Sequence, residues 1–94
     1  MKIKVGAGEF SILHKGIVTV KEDVFLPTAT TVKGQVVTIR SEGGAKVVIY
    51  PQEGEKIDGL PSFLLAKLCP WVRLQASWTP TDGEWLVQEE GSLV

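Results

Sequence analysis

The chain has 94 residues, of which 44% are hydrophobic and 22% are charged, and its 10 basic and 11 acidic side chains give a formal net charge of -1. This composition is ordinary for a globular protein, and the length suits one domain that buries only about two thirds of the surface of its unfolded chain. The basic residues are scattered between Lys2 and Arg73 without forming a stripe, which argues against nucleic acid as a partner.

The residues that usually carry catalysis are few. Cys69 is the only cysteine, so neither an intrachain disulfide nor a cysteine-rich zinc site is possible within the sequence, and we expect it to be a small buried side chain. His14, the only histidine, precedes a glycine and is expected at a turn or a strand end. We therefore expect no enzymatic activity, no metal and no cofactor.

The hydropathy of the chain bears on its location. No apolar segment approaches the roughly 18 to 20 residues of a membrane span, and the first ten residues lack the apolar centre of a signal peptide. We expect a protein that is made in a reducing cytosol and has no membrane partner.

Turn residues recur along the chain, and short runs rich in β-branched and aromatic residues lie between them. This pattern predicts an all-β domain over residues 1–94. The predicted strand regions, in chain order, are KIKV, EFSIL, GIVTV, DVFL, GQVVTIR, AKVVIY, WVRLQASW and EWLVQ. The glycines at 6–8 and 43–44 are expected to form hairpin turns. The segment 61–70, PSFLLAKLCP, is too short for a stable helix, so a strand or an irregular apolar segment is preferred.

Apolar and polar residues alternate within these strands, which assigns one face of each strand to the core. The predicted core residues are Val37, Ile39, Val47, Ile49, Ile57, Val72, Leu74, Trp85 and Val87. Val36, Val48 and Leu86 put apolar groups on the opposite face. Several strands thus look covered on both sides, and in so short a chain we expect the second layer to come from another copy.

Three acids, Glu53, Glu55 and Asp58, form the densest acidic cluster. Their spacing does not match a calcium loop. As a carboxylate pair for glycoside hydrolysis they lack a second segment that holds a partner across a cleft, although folding could bring Glu84 or Asp82 near. Asp58 and Gly59 form a dipeptide typical of tight turns. We expect an exposed turn, with Ile57 anchored inward.

The tryptophans Trp71, Trp78 and Trp85 recur every seven residues. Trp71 is expected to pack within the protein. Trp78 and Trp85 flank a turn that contains Asp82, and an exposed aromatic pair beside an acid suits a sugar. Trp78 and Asp82 are therefore candidate sugar contacts, and a carbohydrate-binding module is an alternative function.

The segment 24–87 resembles a β module that is common in virion proteins of tailed bacteriophages. The motifs that carry the resemblance are Val24–Pro27, Lys33–Arg40, Val47–Pro51, Gly54–Gly59, Ser62–Leu68, Val72–Ala76 and Asp82–Val87, in the order typical of that module. The module occurs in tail fibres, in spikes and in proteins attached to the capsid surface.

The resemblance implies a trimer-forming fold, either a compact β-sandwich or β-roll or a wound β structure. A chain of this length favours a capsid decoration or cement protein that binds and stabilises the assembled head; the alternative is a short tail-fibre or tail-tip protein. Residues 1–22 are then expected to be attachment strands, and 23–94 the fibre-like module. The expected partners are further copies and the major capsid protein or another virion protein. The expected location is the virion, assembled in the cytoplasm of a host bacterium.

One segment departs from the pattern of the resembling module, whose corresponding strand is polar and alternating. The stretch SFLLAKLCPW is much more apolar. The residues predicted to form the trimer or partner interface are Phe63, Leu64, Leu65, Leu68 and Trp71.

Overall fold

The computed structural model describes residues 1–77 and 83–92, and ten strands lie within them. The strands are β1 (Lys2–Val5), β2 (Gly8–Ser11), β3 (Gly16–Val20), β4 (Val24–Phe25), β5 (Val36–Ser41), β6 (Val47–Tyr50), β7 (Lys56–Ile57), β8 (Phe63–Leu65), β9 (Trp71–Ala76) and β10 (Glu84–Glu90). Two short 3-10 turns, Ala29–Thr31 and Glu42–Gly44, complete the described structure. No helix of the described residues is long and apolar enough to cross a membrane.

The strands form two mixed sheets of five strands each, so the protein is all-β as predicted. The first sheet has the order β2-β1-β4-β6-β8, and its β4 and β6 run parallel. The second has the order β3-β5-β9-β10-β7, with parallel pairs at β3–β5 and β7–β10. Because parallel neighbours need a crossover, the chain passes repeatedly between the two sheets.

The inner faces of the two sheets enclose a single core. Eight of the nine predicted core residues are 0% exposed, and the ninth, Val87, is half-buried and packs against the others. The core also contains residues outside the predicted set. These are Ile3, Val5, Val20, Val24, Leu26, Ala29, Leu65 and Ala76.

The first 22 residues are built into both sheets. Strand β1 lies between β2 and β4, and its Ile3 is fully buried. Strands β2 and β3 each occupy a sheet edge. The N-terminal strands therefore help to build the core. A role in attachment, as predicted for residues 1–22, would use the edges at β2 and β3.

The glycines at 6–8 and 43–44 behave differently. Gly6 and Ala7 connect β1 to β2 in a hairpin whose register pairs Val5 with Gly8, as predicted. Gly43 and Gly44 instead form a 3-10 turn between β5 and β6, which belong to different sheets, so the predicted hairpin there is wrong. Both have positive φ, 61° and 74°, a conformation that glycine adopts without strain.

The apolar segment 61–70 contains strand β8 and a tight turn. Backbone amides and carbonyls of Ala66 and Cys69 bond reciprocally at 3.1 Å, which closes the turn before Pro70. Alternation along β8 buries Leu65 and exposes Leu64.

Candidate functional site: an exposed aromatic face

The outer face of the first sheet carries apolar side chains on three neighbouring strands. Residues that alternate with the buried Val24, Val47 and Ile49 point away from the core. In β4, β6 and β8 these outward residues are Phe25, Val48, Tyr50 and Leu64, which we call the aromatic face. The register places Phe25 beside Tyr50 and Val48 beside Leu64, so the four side chains are contiguous.

Three of these side chains are substantially exposed: Phe25 at 43%, Tyr50 at 37% and Leu64 at 54%. The rings of Phe25 and Tyr50 stack with centroids 5.3 Å apart and planes 16° apart. Isolated exposed apolar residues are common, whereas contiguous exposed apolar groups are typical of interaction surfaces. The aromatic face is thus the strongest candidate for an interaction site.

Lysines border the aromatic face on the side of β1. Lys4 lies opposite Phe25 in the register, and Lys2 follows on the same face of β1. Lys2 approaches Glu9 at 3.9 Å, with both side chains exposed, whereas Lys4 makes no ion pair with any described residue. The face is therefore an apolar centre with a basic margin.

The structure separates the five residues that were predicted to form the interface. Leu64 belongs to the aromatic face, and Leu68 is 60% exposed in the turn after β8. Phe63 is half-buried and packs against the core. Leu65 is 0% exposed within the core, so its predicted place on a contact surface is wrong: β8 alternates, and Leu65 falls on the inner side.

The fifth of those residues, Trp71, lies on the other sheet. It is half-buried and stands opposite Arg40 in the register of β5 and β9. The two residues that sequence reasoning missed, Phe25 and Tyr50, come together through the parallel pairing of β4 and β6. Their outward position could have been read from alternation, but their adjacency could not.

The acidic cluster contributes to the fold through backbone hydrogen bonds. Both carboxylate oxygens of Glu55 accept the Ala29 amide, at 3.0 and 3.1 Å, and Asp58 Oδ2 accepts the Val87 amide at 3.2 Å. Glu53 is exposed. Half-buried Glu55 thus departs from the predicted solvated turn because it holds the 3-10 turn at Ala29. Within residues 1–77 and 83–92 no cluster of three or more His, Cys, Asp or Glu side chains could hold a metal ion.

The turn predicted at Asp58 and Gly59 is present. Both residues have positive φ, 48° and 77°, and the backbones of Ile57 and Leu60 bond reciprocally at 2.8 and 2.9 Å. Ile57 is fully buried, as the inward anchor was expected to be.

The environments of His14 and Cys69, the single histidine and the single cysteine, are those of residues that support the fold. His14 lies in the loop before β3, where its Nδ1 accepts the Val36 amide at 3.1 Å. Cys69 is half-buried, and burial raises the pKa of its thiol, with a further increase from the charge of Glu90. A raised pKa disfavours the nucleophilic thiolate.

The predicted sugar contacts Trp78 and Asp82 lie outside the described residues. Trp85, the expected aromatic partner of Trp78, is 0% exposed, so its ring cannot stack on a ligand and its place in that pair is wrong. Trp85 faces inward because it lies opposite Ala76, a buried residue of β9.

Comparison of the chain with protein-family models, with curated proteins and with solved structures gives no significant match. The resemblance to the phage virion module stays a prediction from the sequence motifs. The described residues form a small all-β domain of two mixed sheets, and the first sheet carries the aromatic face on its outer side.

Proposed function

We propose that this chain is a non-enzymatic structural protein of a tailed bacteriophage, a homotrimer that decorates the assembled head and stabilises it. Three features support the proposal: the motif order over residues 24–87, the all-β fold and the aromatic face. The aromatic face carries the argument, since it exposes three large apolar side chains, Phe25, Tyr50 and Leu64, that further copies could cover.

The occupant that we assign to the aromatic face is the same face of two further copies. A three-fold axis beside β6 would bring together the stacked Phe25 and Tyr50 rings and Leu64 of each copy. Completing the burial of one half-exposed leucine or phenylalanine contributes about 1 kcal/mol. Several such contacts per copy favour trimer formation, and the lysine margin stays at the solvent-exposed rim.

Attachment to the head is assigned to the sheet edges. Strands β2 and β3 each pair with one neighbour only among the described strands, so each has a free edge that can accept a strand of another protein. A protein that binds only the assembled shell stabilises that state by mass action, and a trimer does so through three linked contacts.

Cryo-electron microscopy of the phage particle tests the location. The proposal predicts trimeric density at regular positions on the capsid lattice. Density confined to the tail tip would overturn the head assignment in favour of a short tail-fibre or tail-tip protein.

A binding assay on purified heads tests the link between trimer and attachment. Wild-type protein should co-sediment with empty heads and raise the temperature at which they open. The double variant F25T/L64T should lose most of this binding because single chains attach at one point only. The matched control is L60T, which changes a residue that is 52% exposed and lies outside both the aromatic face and the β2 and β3 edges. Equal binding by F25T/L64T and the wild type would contradict the proposal.

A further inference from the structure

A groove of about 630 Å³ crosses the outer face of the second sheet, away from the aromatic face. Its floor comes from β5 and β9, where Val36 is 9% and Thr38 is 6% exposed although both point away from the core. One wall is formed by Lys15 and Ile17 at β3, and the other by β10. The volume lies within the range of small-molecule sites, about 300 to 1,000 Å³.

A β-bulge shapes the wall that β10 provides. The register between β9 and β10 shifts between Val87 and Glu89, so two successive residues, Gln88 and Glu89, both line the groove. In a regular strand one of them would point to the other face. Bulges commonly re-aim side chains beside functional sites.

The polar groups of the groove are fixed by bonds to one another. Gln88 Nε2 donates to Gln75 Oε1 at 2.6 Å, and Gln75 Nε2 donates to the Gly34 carbonyl at 3.1 Å. Arg73 Nε donates to Thr38 Oγ1 at 3.3 Å, and its Nη1 meets Glu89 at 3.1 Å. The side-chain oxygen Oε1 of Gln88 and the Nη2 amino group of Arg73 take no part in these bonds and can bind a ligand.

Basic groups outnumber acids on this surface. Lys15 and Arg73 line the groove, and Arg40 continues it in an adjoining depression of about 190 Å³. Glu89 is the acid among the lining residues, and Arg73 already neutralises it. Neither Lys15 nor Arg40 has an ion pair within the described residues.

An indole lies at the Arg40 end. Trp71 lines the adjoining depression together with Thr38, Arg40 and Arg73, and its half-buried ring packs against Gly91, where a Cβ would clash with the indole. A tryptophan held in this way offers a rigid apolar surface beside the charged groups.

We propose that this groove binds an acidic oligosaccharide of about two or three sugar units. Lys15 and Arg40, which have no ion pair among the described residues, match carboxylates along such a chain. Arg73 Nη2 and the side-chain oxygen of Gln88 match its hydroxyl groups, and Trp71 matches an apolar sugar face. The site uses neither Trp78 nor Asp82, and it does not depend on trimer formation or on attachment to a head.

Titration of the 15N-labelled full chain with trigalacturonate, followed by NMR, tests the proposal. Binding should shift the backbone signals of Ile17 and Thr38 and the side-chain amides of Gln75 and Gln88. In the variant K15Q/R40Q the dissociation constant should rise about tenfold or more. The matched control K46Q/K67Q removes the same charge from exposed residues outside the groove and should bind within about twofold of the wild type.

Competing ligands decide the chemistry. Maltotriose, a neutral trisaccharide, should bind at least tenfold more weakly than trigalacturonate. The proposal is overturned if trigalacturonate shifts none of the groove signals, or if the two double variants bind it alike. Tighter binding of a hexaglutamate peptide or of a single-stranded oligonucleotide would overturn it equally. If K15Q/R40Q fails to give a folded spectrum, the single variant R40Q replaces it in the same comparison.

Discussion

Phe25 of β4 stacks on Tyr50 of β6 on the outer face of the first sheet, with ring centroids 5.3 Å apart. The two strands run parallel, and between them the chain crosses to the second sheet to form β5. Two aromatic rings far apart in sequence thus become neighbours through a crossover. With Val48 and Leu64 they form the surface on which the proposed trimer depends.

Truncation of the two neighbouring leucines of β8 should lower the free energy of unfolding by very different amounts. L65A removes a side chain that is 0% exposed, and it should lower the free energy of unfolding by about 2–5 kcal/mol because it leaves a cavity. L64A changes a residue that is 54% exposed and should cost a single chain less than about 1 kcal/mol. Urea unfolding at concentrations low enough to keep chains apart measures both. Equal losses would contradict the assigned alternation of β8.

Glu55 should be the acid of the 53–58 cluster on which stability depends. E55A leaves the Ala29 amide without the carboxylate that now accepts it, and we expect a loss of about 1–3 kcal/mol in the free energy of unfolding. The same carboxylate lies against Gly83, where a Cβ would come within 2.6 Å of Glu55 Oε2.

The control for this experiment is E53A, which removes an exposed acid that has no hydrogen bond to any described residue. Its unfolding free energy should stay within about 0.5 kcal/mol of the wild type. A larger effect from E53A than from E55A would show that the cluster acts through its total charge instead.

Substitution of Gly59 should destabilise the turn at Asp58 and Gly59 through backbone strain alone, without a steric clash. A Cβ on Gly59 would meet no atom within 4 Å, yet its φ of 77° strains any other residue. G59A should therefore lower the free energy of unfolding by about 1–2 kcal/mol. G8A serves as the control, because a Cβ there makes ordinary contacts at 3.5 and 3.7 Å. Thermal melting of both variants measures the difference, and a neutral G59A would contradict the turn.

Cys69 gives the fold a dependence on alkaline pH. Burial, with a smaller effect of Glu90, raises the pKa of the thiol above its ordinary value. Its contribution to stability is therefore complete below the unfolded pKa and is lost as the pH rises through the higher folded pKa. Alkylation by iodoacetamide should reach half its maximal rate at a higher pH in the folded protein than in urea. A lower midpoint in the folded protein would contradict this environment for the thiol.

The core was largely predictable, because strand alternation is a local property. The period of two in QVVTIR and WVRLQAS identifies Val37, Ile39, Val72 and Leu74, all of them 0% exposed. Strand β7 was not predicted, because a strand of two residues shows no alternation. It forms through parallel pairing with β10. The hairpin predicted at Gly43 and Gly44 was wrong because a glycine pair indicates positive φ but does not indicate which sheet the next strand joins.

Both surface sites lay beyond sequence reasoning for the same reason. Lys15, Arg40 and Arg73 form no cluster along the chain, and only the order β3-β5-β9 brings them to one face. The apolar excess at 63–68 combines an inward residue, Leu65, with an outward one, Leu64. Alternation distinguishes inward from outward residues only when it is known which residue of the strand faces the core, and the three apolar residues of β8 do not show this.

Sedimentation equilibrium of the purified chain at micromolar concentration tests the central claim most directly. The account predicts the mass of three chains for the wild type and of one folded chain for F25T/L64T, with L60T remaining a trimer. A wild-type protein that sediments as a single chain would contradict the assignment of the aromatic face to self-assembly.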